Sequence, residues 1–331
     1  MPIARLKQLL LKKRAKVLAT TTERSIDNSA ALDKPTDNFA DLSFPALPPV
    51  ALQILQLSIS NEHSTRELVE LISQDSTMQQ QVMFYTQLPF IQEKFRAEMA
   101  EQEMDDVQHV VDHILGFDMV SHIALGVAAG RAFNLQRISG LEDFWRHAFY
   151  AASYAERITE LVAERLELDP AISYMAGLFH NFGLLLFSQM YPPEYGLLKK
   201  WIALNPKVSI SVLEQRVLGM GHAFTVIRNG HAQLGEWLLR SWQMPESICV
   251  ITREHHSLTY KGKYVDYVRI IQLTNQLLRA DGIGDGTATG ISDQLLEALG
   301  LTAHQVYKSI EQVKAGAASI DNMARSLTNS A

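Results

Sequence analysis

The chain carries eleven histidines, and several fall where helices would bring them together. His147 lies on the apolar face of one long helical stretch. His180 lies on the next, inside Gly177-Leu178-Phe179-His180-Asn181-Phe182-Gly183. His222 and His231 bracket the start of a third helix, and His255-His256 closes a fourth. A neutral imidazole offers one nitrogen lone pair, and inward imidazoles from several helices are how helical bundles build metal sites. A single inward histidine is more often a hydrogen-bonded core residue. Four or five in this order raise the metal reading, although periodicity alone does not establish that they meet.

Other chemistry is thin. No nucleophile elbow accompanies the serines. Gly282 to Gly290 is rich in glycine but lacks the Lys-Ser/Thr of a phosphate loop and follows no strand, so it reads as a hinge. Cys249 sits in Ile248-Cys249-Val250-Ile251 and is expected to be a buried packing residue. Trp145, Trp201, Trp237 and Trp242 are expected in the core.

The elements that position these residues all read as helices. Phe144, Ala148, Ala151, Ala155, Ile158 and Val162 mark one face of a helix from about Leu141 to Leu166. Asp169-Pro170 caps and opens the next, which is predicted to run on through His180 and Phe187 to Pro192. Upstream, Phe44-Pro45-Ala46-Leu47-Pro48-Pro49 marks the entry to the globular part, and Ser64 or Thr65 and Asp75 start further helices. Leu88 to Asp105 is polar and is expected to be a solvent-facing excursion. Downstream, helices are predicted over about Pro245–His255, Val265–Leu278 and Ile291–Leu299, with a last one through Val306, Ile310 and Val313. No period-2 strand pattern and no internal repeat appears. The predicted fold class is all-α, a multi-helix bundle.

Composition limits the function classes. Hydrophobic residues make up 47% and charged residues 20%, which fits a globular core rather than a disordered chain. The net charge of -6 argues against a dedicated nucleic-acid binder, so no nucleic-acid partner is expected. No uninterrupted apolar run is long enough to span a bilayer. The lone Cys249 makes no internal disulfide, and a reducing cytoplasm fits best. Residues 1–18 interleave Arg5, Lys7, Lys12, Lys13, Arg14 and Lys16 with leucines, which reads as a basic amphipathic segment and not a cleaved signal. Such a segment can touch an anionic membrane surface or a partner, or pack on its own domain. Residues 19–43 read as a linker.

Phe144-Trp145-Arg146-His147, the Gly177–Gly183 motif, His231 and His255-His256 together resemble the HD phosphohydrolase superfamily. More closely they resemble its HDOD branch, the HD-related output domain. Leu47-Pro48-Pro49-Val50-Ala51, Ile72-Ser73-Gln74-Asp75, Gly235-Glu236-Trp237-Leu238-Leu239 and Trp242-Gln243-Met244-Pro245 support that branch. The resemblance covers about 44–280, divided into an N-terminal helical part (44–140) and an HD-like core (141–280), with C-terminal helices over 281–331. It implies an HD-like bundle acting in bacterial signalling through contacts with other signalling proteins, with a homodimer left open.

The same resemblance places metal ligands. HD enzymes hold one or two metals with a histidine, a His-Asp pair and a distant aspartate, and the metal activates water against a phosphoester. Here His147 and His180 stand at the histidine positions. Asn181 replaces the aspartate of the pair, and Asn275 falls where the distant aspartate is placed. The lysine that follows the motif in HD-GYP phosphodiesterases corresponds to Leu184. An amide supplies one weak neutral oxygen, and hard cations such as Mg²⁺ depend on anionic oxygen. The sequence therefore predicts a non-catalytic regulatory module with no cofactor and no metal. If a metal is held, its ligands come from His147, His180, Asn181, His231, His255, His256 and Asn275. Two alternatives remain. One is a metal-dependent phosphohydrolase on those residues. The other is a non-hydrolysing binder of a nucleotide or other phosphorylated signal, contacted by Arg146, His147 and His180.

Overall fold

The computed structural model describes residues 44–59, 64–96, 106–134, 140–218, 230–284 and 290–329, with Met99 and Ile138. The basic segment 1–18, the linker 19–43, His222, Asn229 and residues 285–289 of the glycine-rich stretch lie outside the described residues. Among the described residues every regular element is helical.

The organising element is α7 (Leu141–Glu160), which is buried over most of its length. Its small residues Ala148, Ala151, Ala152 and Ala155 are fully covered, and they let α9 (Pro170–Phe179) approach closely. A Cβ at Gly177 of α9 would come 2.5 Å from the Ala151 carbonyl oxygen, so only glycine fits that crossing. Asp169 caps α9 by accepting from Ala171 N at 2.8 Å, with Pro170 in the first turn.

Four N-terminal helices, α1 (Pro49–Ile59), α2 (Thr65–Ser73), α3 (Ser76–Thr86) and α4 (Pro89–Lys94), pack with α6 (Gly116–Gly130) into the same core. Ser64 and Asp75 cap α2 and α3 as their residue types predict. The expected excursion from Leu88 is corrected in its first part. Pro89 opens α4, which buries Phe90 and Ile91 against the core. Two large apolar side chains outweigh the polar average of the segment. Between α4 and α6, α5 starts as a short α-turn (Val107–His109) and widens into a π-turn (Val110–Ile114).

Two more differences concern helix limits. The stretch predicted as one helix from Pro170 to Pro192 breaks at His180-Asn181, and α10 (Phe182–Met190) starts afresh. Likewise α7 stops at Glu160 before a short turn of helix, α8 (Ala163–Leu166). Pro170–Met190 is long and apolar enough on average to cross a membrane, but 89% of its most apolar window is buried inside the fold. It is a core segment.

The remaining helices are α11 (Pro192–Leu204), α12 (Ile210–Leu218), α13 (Gly230–Ser241), α14 (Glu246–Glu254), α15 (Val265–Ala280), α16 (Asp293–Leu299), α17 (Ala303–Lys314) and α18 (Ala317–Asn329). The last of these was not predicted. It packs Ile320, Met323, Ala324 and Leu327 into the same core. Gln81 of α3 donates to the Met323 carbonyl at 3.1 Å, and Arg146 of α7 meets Asp321 at 2.9 Å, so the C-terminal helices cover α7 and α3. Cys249 is buried, as are Trp145 and Trp242, while Trp201 and Trp237 are half-buried.

Candidate metal centre

Five imidazoles converge from four elements. His147 projects from α7, His180 from the break between α9 and α10, His231 from the first turn of α13, and His255 and His256 from the end of α14. The Nε2 atoms of His147 and His180 lie 3.5 Å apart. His231 Nε2 lies 3.2 Å from His255 Nε2 and 3.2 Å from His256 Nε2. The rings of His180 and His255 are 5.0 Å apart, which makes the two groups continuous.

Local backbone geometry aims these rings. The break at His180 frees the imidazole to turn back on its own helix, where Nδ1 donates to the Gly177 carbonyl at 2.7 Å. At the end of α14, His255 Nδ1 donates to the Thr252 carbonyl at 2.6 Å. His231 Nδ1 lies 2.8 Å from Glu214 Oε1. A carbonyl or carboxylate oxygen only accepts, so all three rings carry their proton on Nδ1 and keep Nε2 as the ligating nitrogen. Oxygen partners of this kind, behind the ring, fix and strengthen histidine ligands.

Glycine brings the elements together. A Cβ at Gly183 would overlap the His231 carbonyl and come 2.6 Å from Gly235 N. The start of α10 therefore lies directly on the start of α13. Burial favours the neutral form of His180, His255 and His256. It pushes the His180 imidazole down to about 3, with the neighbouring His147 acting in the same direction. Burial, then the surrounding imidazoles, hold His255 and His256 well below the ordinary histidine range. Neutral imidazole is the ligating form.

The donor set fits a metal of the borderline class. Two nitrogens bonded to one tetrahedral zinc at about 2.0–2.1 Å sit roughly 3.3 Å apart, close to the two separations of 3.2 Å from His231 to His255 and His256. Ligand atoms of His231, His255 and His256 all lie within 4.8 Å of one another. Such nitrogen-rich sets suit zinc, iron, nickel or copper and not Mg²⁺.

Asn181 and Asn275 stand at the edge of the cluster. With His147 and His256 they line a small cavity of about 50 Å³ that Arg279 also borders. Asn275 Oδ1 is buried without a hydrogen bond, although its side chain lies close enough to His180 to favour the protonated ring. His147 and Asn181 also face a larger cleft of about 350 Å³, where Arg146, Tyr195 and Lys199 form part of the wall. Every residue named from the sequence as a ligand thus lies at one place, and Arg146 lies in the adjoining cleft. Glu214 was not anticipated. It sits on α12, on another helix from the histidine it holds.

A protein-family model for the HDOD domain matches residues 44–258. The chain belongs to the HDOD family. A solved structure named a "putative signal transduction protein", from Marinobacter aquaeolei VT8, superposes with a TM-score of 0.68 at 25% identity, covering 90% of this chain and 62% of that one. An HDOD domain protein of unknown function from Geobacter sulfurreducens gives 0.61 at 17% identity, covering 85% and 94%. A "putative phosphohydrolase" from Shewanella amazonensis SB2B gives 0.62 at 18% identity over 88% and 96%, a likeness of fold. An uncharacterized protein of Treponema pallidum (strain Nichols) is 24% identical over 261 residues, 77% of this chain. This HDOD chain spans 46% of that relative's length.

Proposed function

We propose that this HDOD chain is a non-catalytic signalling module that works through contacts with partner proteins, and that its histidine cluster holds a late transition-metal ion. The sequence predicts no metal because two carboxylates are replaced by amides. The geometry favours one because Nε2 of His231 lies 3.2 Å from Nε2 of both His255 and His256. His231 and His255 face each other at 3.2 Å with both donor hydrogens engaged elsewhere. Two acceptors at that distance repel unless a cation lies between them. That observation carries the reading.

His231, His255 and His256 would hold the ion, with His147 and His180 beside it. A bound metal of this kind supplies Lewis acidity. The HD enzymes that the sequence resembles hold their metals with aspartates, and residues 181 and 275 offer neutral amides in their place. Membership of the HDOD family and the likeness to a protein named for signal transduction support the regulatory role. The test is a thermal-shift series with Zn²⁺, Fe²⁺, Ni²⁺ and Mg²⁺, run beside a phosphodiester assay. Stabilisation by the first three, none by Mg²⁺, and no turnover is the expected pattern. Turnover above the metal-only control would establish the phosphohydrolase reading instead.

A second reading has one observation in its favour. The 350 Å³ cleft beside the cluster carries Arg146, Lys199 and His147 over an apolar floor of Phe144 and Leu198. Cations and ring donors above apolar surface suit a phosphorylated ligand bound without cleavage. Saturable binding of a nucleotide that is lost on Arg146→Ala would support it.

A further inference from the structure

Glu214 is fully buried on α12 and touches the histidine cluster from behind. Its Oε1 accepts from the backbone N of His231 at 3.2 Å and lies 2.8 Å from His231 Nδ1. The carboxylate therefore grips one residue at two points, backbone and ring. Gly230 makes room for it. That residue has φ +67, and a Cβ there would collide with the Glu214 carboxylate. A glycine is thus demanded both by the backbone and by the acid, and the two together fix the first turn of α13.

A buried carboxylate is costly unless something compensates its charge. Among the described residues, no arginine or lysine pairs with Glu214. The group that meets it is an imidazole whose opposite nitrogen points into the cluster. A carboxylate behind a ligating histidine fixes the Nδ1–H tautomer and makes Nε2 a stronger donor. A dication bound at Nε2 would in turn compensate the buried negative charge.

We propose that Glu214 is the positioning residue of this centre, and that it supplies through His231 the negative charge that Asn181 and Asn275 do not supply directly. This rests on the metal reading above and goes beyond it. It names a residue outside the histidine and asparagine set, and it sets the metal class. The ion sits on neutral nitrogens with its balancing charge one imidazole away, so the centre selects Zn²⁺ or Co²⁺ over Mg²⁺ or Mn²⁺, which need direct anionic oxygen.

The test uses the full chain. Co²⁺ and Zn²⁺ affinities are measured by visible absorption of the cobalt form and by chelator competition, for wild type, Glu214→Gln and Glu214→Asp. Glutamine keeps an oxygen that accepts from His231 Nδ1 but removes the charge. We expect Glu214→Gln to weaken Co²⁺ and Zn²⁺ binding about 10–100-fold, while metal-free thermal stability stays at or above that of wild type. The cobalt spectrum should keep its shape, because the nitrogens that bind the ion are unchanged. Unchanged metal affinity in Glu214→Gln, with tight binding by wild type, overturns this inference alone. Absence of Co²⁺ and Zn²⁺ binding by wild type overturns the metal reading and this inference together.

A second measurement needs no variant. Histidine ¹⁵N NMR of the wild-type chain should show His231 as the Nδ1–H tautomer with its proton shifted downfield by the carboxylate. A His231 protonated on Nε2 instead overturns the proposal.

Discussion

Gly183→Ala is the sharpest test of how the centre is assembled. The added Cβ would overlap the His231 carbonyl oxygen and lie 2.6 Å from Gly235 N and 2.8 Å from the His231 carbonyl carbon, where ordinary contact starts at 3.4 Å. These are backbone atoms of a packed helix, so no rotamer change relieves the clash. The start of α10 must retreat from α13 by about 0.8 Å or more. Overpacking of this kind typically costs about 1–3 kcal/mol, and a backbone clash belongs at the upper end. Metal sites tolerate errors of only about 0.2 Å in their distances, and the clash falls on the backbone of His231, so the same displacement should shift His231 relative to His255 and His256 and weaken metal binding. Gly196→Ala is the internal control. Gly196 lies inside α11 with nothing within 4 Å of the added carbon, and an exposed helical Gly→Ala should gain about 0.5–1 kcal/mol. Urea unfolding followed by circular dichroism, with equal slopes, gives both values. A Gly183→Ala protein within about 0.5 kcal/mol of wild type, still binding metal, would refute the claim that this contact builds the site.

Three further outcomes follow from buried and bridging charges. Burial raises Glu156 from an ordinary 4.5 to about 8, with Tyr85 donating to it from α3. The folded state then keeps a proton that the unfolded chain releases, so this contribution is complete below pH 4.5 and is lost as pH rises toward 8. Glu156→Gln should therefore flatten that part of the Tm–pH curve, and an unchanged slope counts against the assignment. Burial lowers His122 from 6.5 to about 4, and its Nδ1 donates to the Ala171 carbonyl at 3.0 Å. Its contribution is present above pH 6.5 and is lost as pH falls toward 4, so the Tm advantage of wild type over His122→Gln should shrink on acidification. A gap independent of pH would contradict this. The Arg146–Asp321 pair is partly open to solvent, with side-chain exposures of 41% and 34%, so Asp321→Asn should cost less than about 1 kcal/mol. It should also release Arg146 toward the cleft and tighten inorganic phosphate binding several-fold by calorimetry; weaker binding would show that Asp321 presents the arginine instead.

Much of this was legible in the residues, for physical reasons. Helical spacing marked α7 because its apolar stripe is unbroken, and Asp169-Pro170 marked the start of α9 because capping and proline chemistry are local. The break at His180-Asn181 was hidden by Phe179, Phe182 and Phe187, which continue an apolar pattern across it. Two buried residues, Phe90 and Ile91, were masked by the charged residues that follow them. For α18 the signal was present, since Ile320, Met323, Ala324 and Leu327 follow i, i+3, i+4, i+7 spacing. The histidines became a site through their likeness to a known motif, since spacing alone could not show that His231 and His255 meet. Glu214 had no such signal. Its link to His231 crosses from one helix to another through tertiary packing, and nothing in sequence spacing encodes it.

The central claim is that the centre holds a metal without hydrolysing phosphodiesters. Elemental analysis of untagged full-length protein, purified without chelators, tests it most directly when the same sample is assayed for turnover and compared with His231→Ala. The account predicts near-stoichiometric zinc, iron or nickel in wild type, its loss in His231→Ala, and no turnover in either. Metal-free wild-type protein that also fails to take up Zn²⁺ or Co²⁺ would contradict it, as would phosphodiester cleavage that disappears with His231.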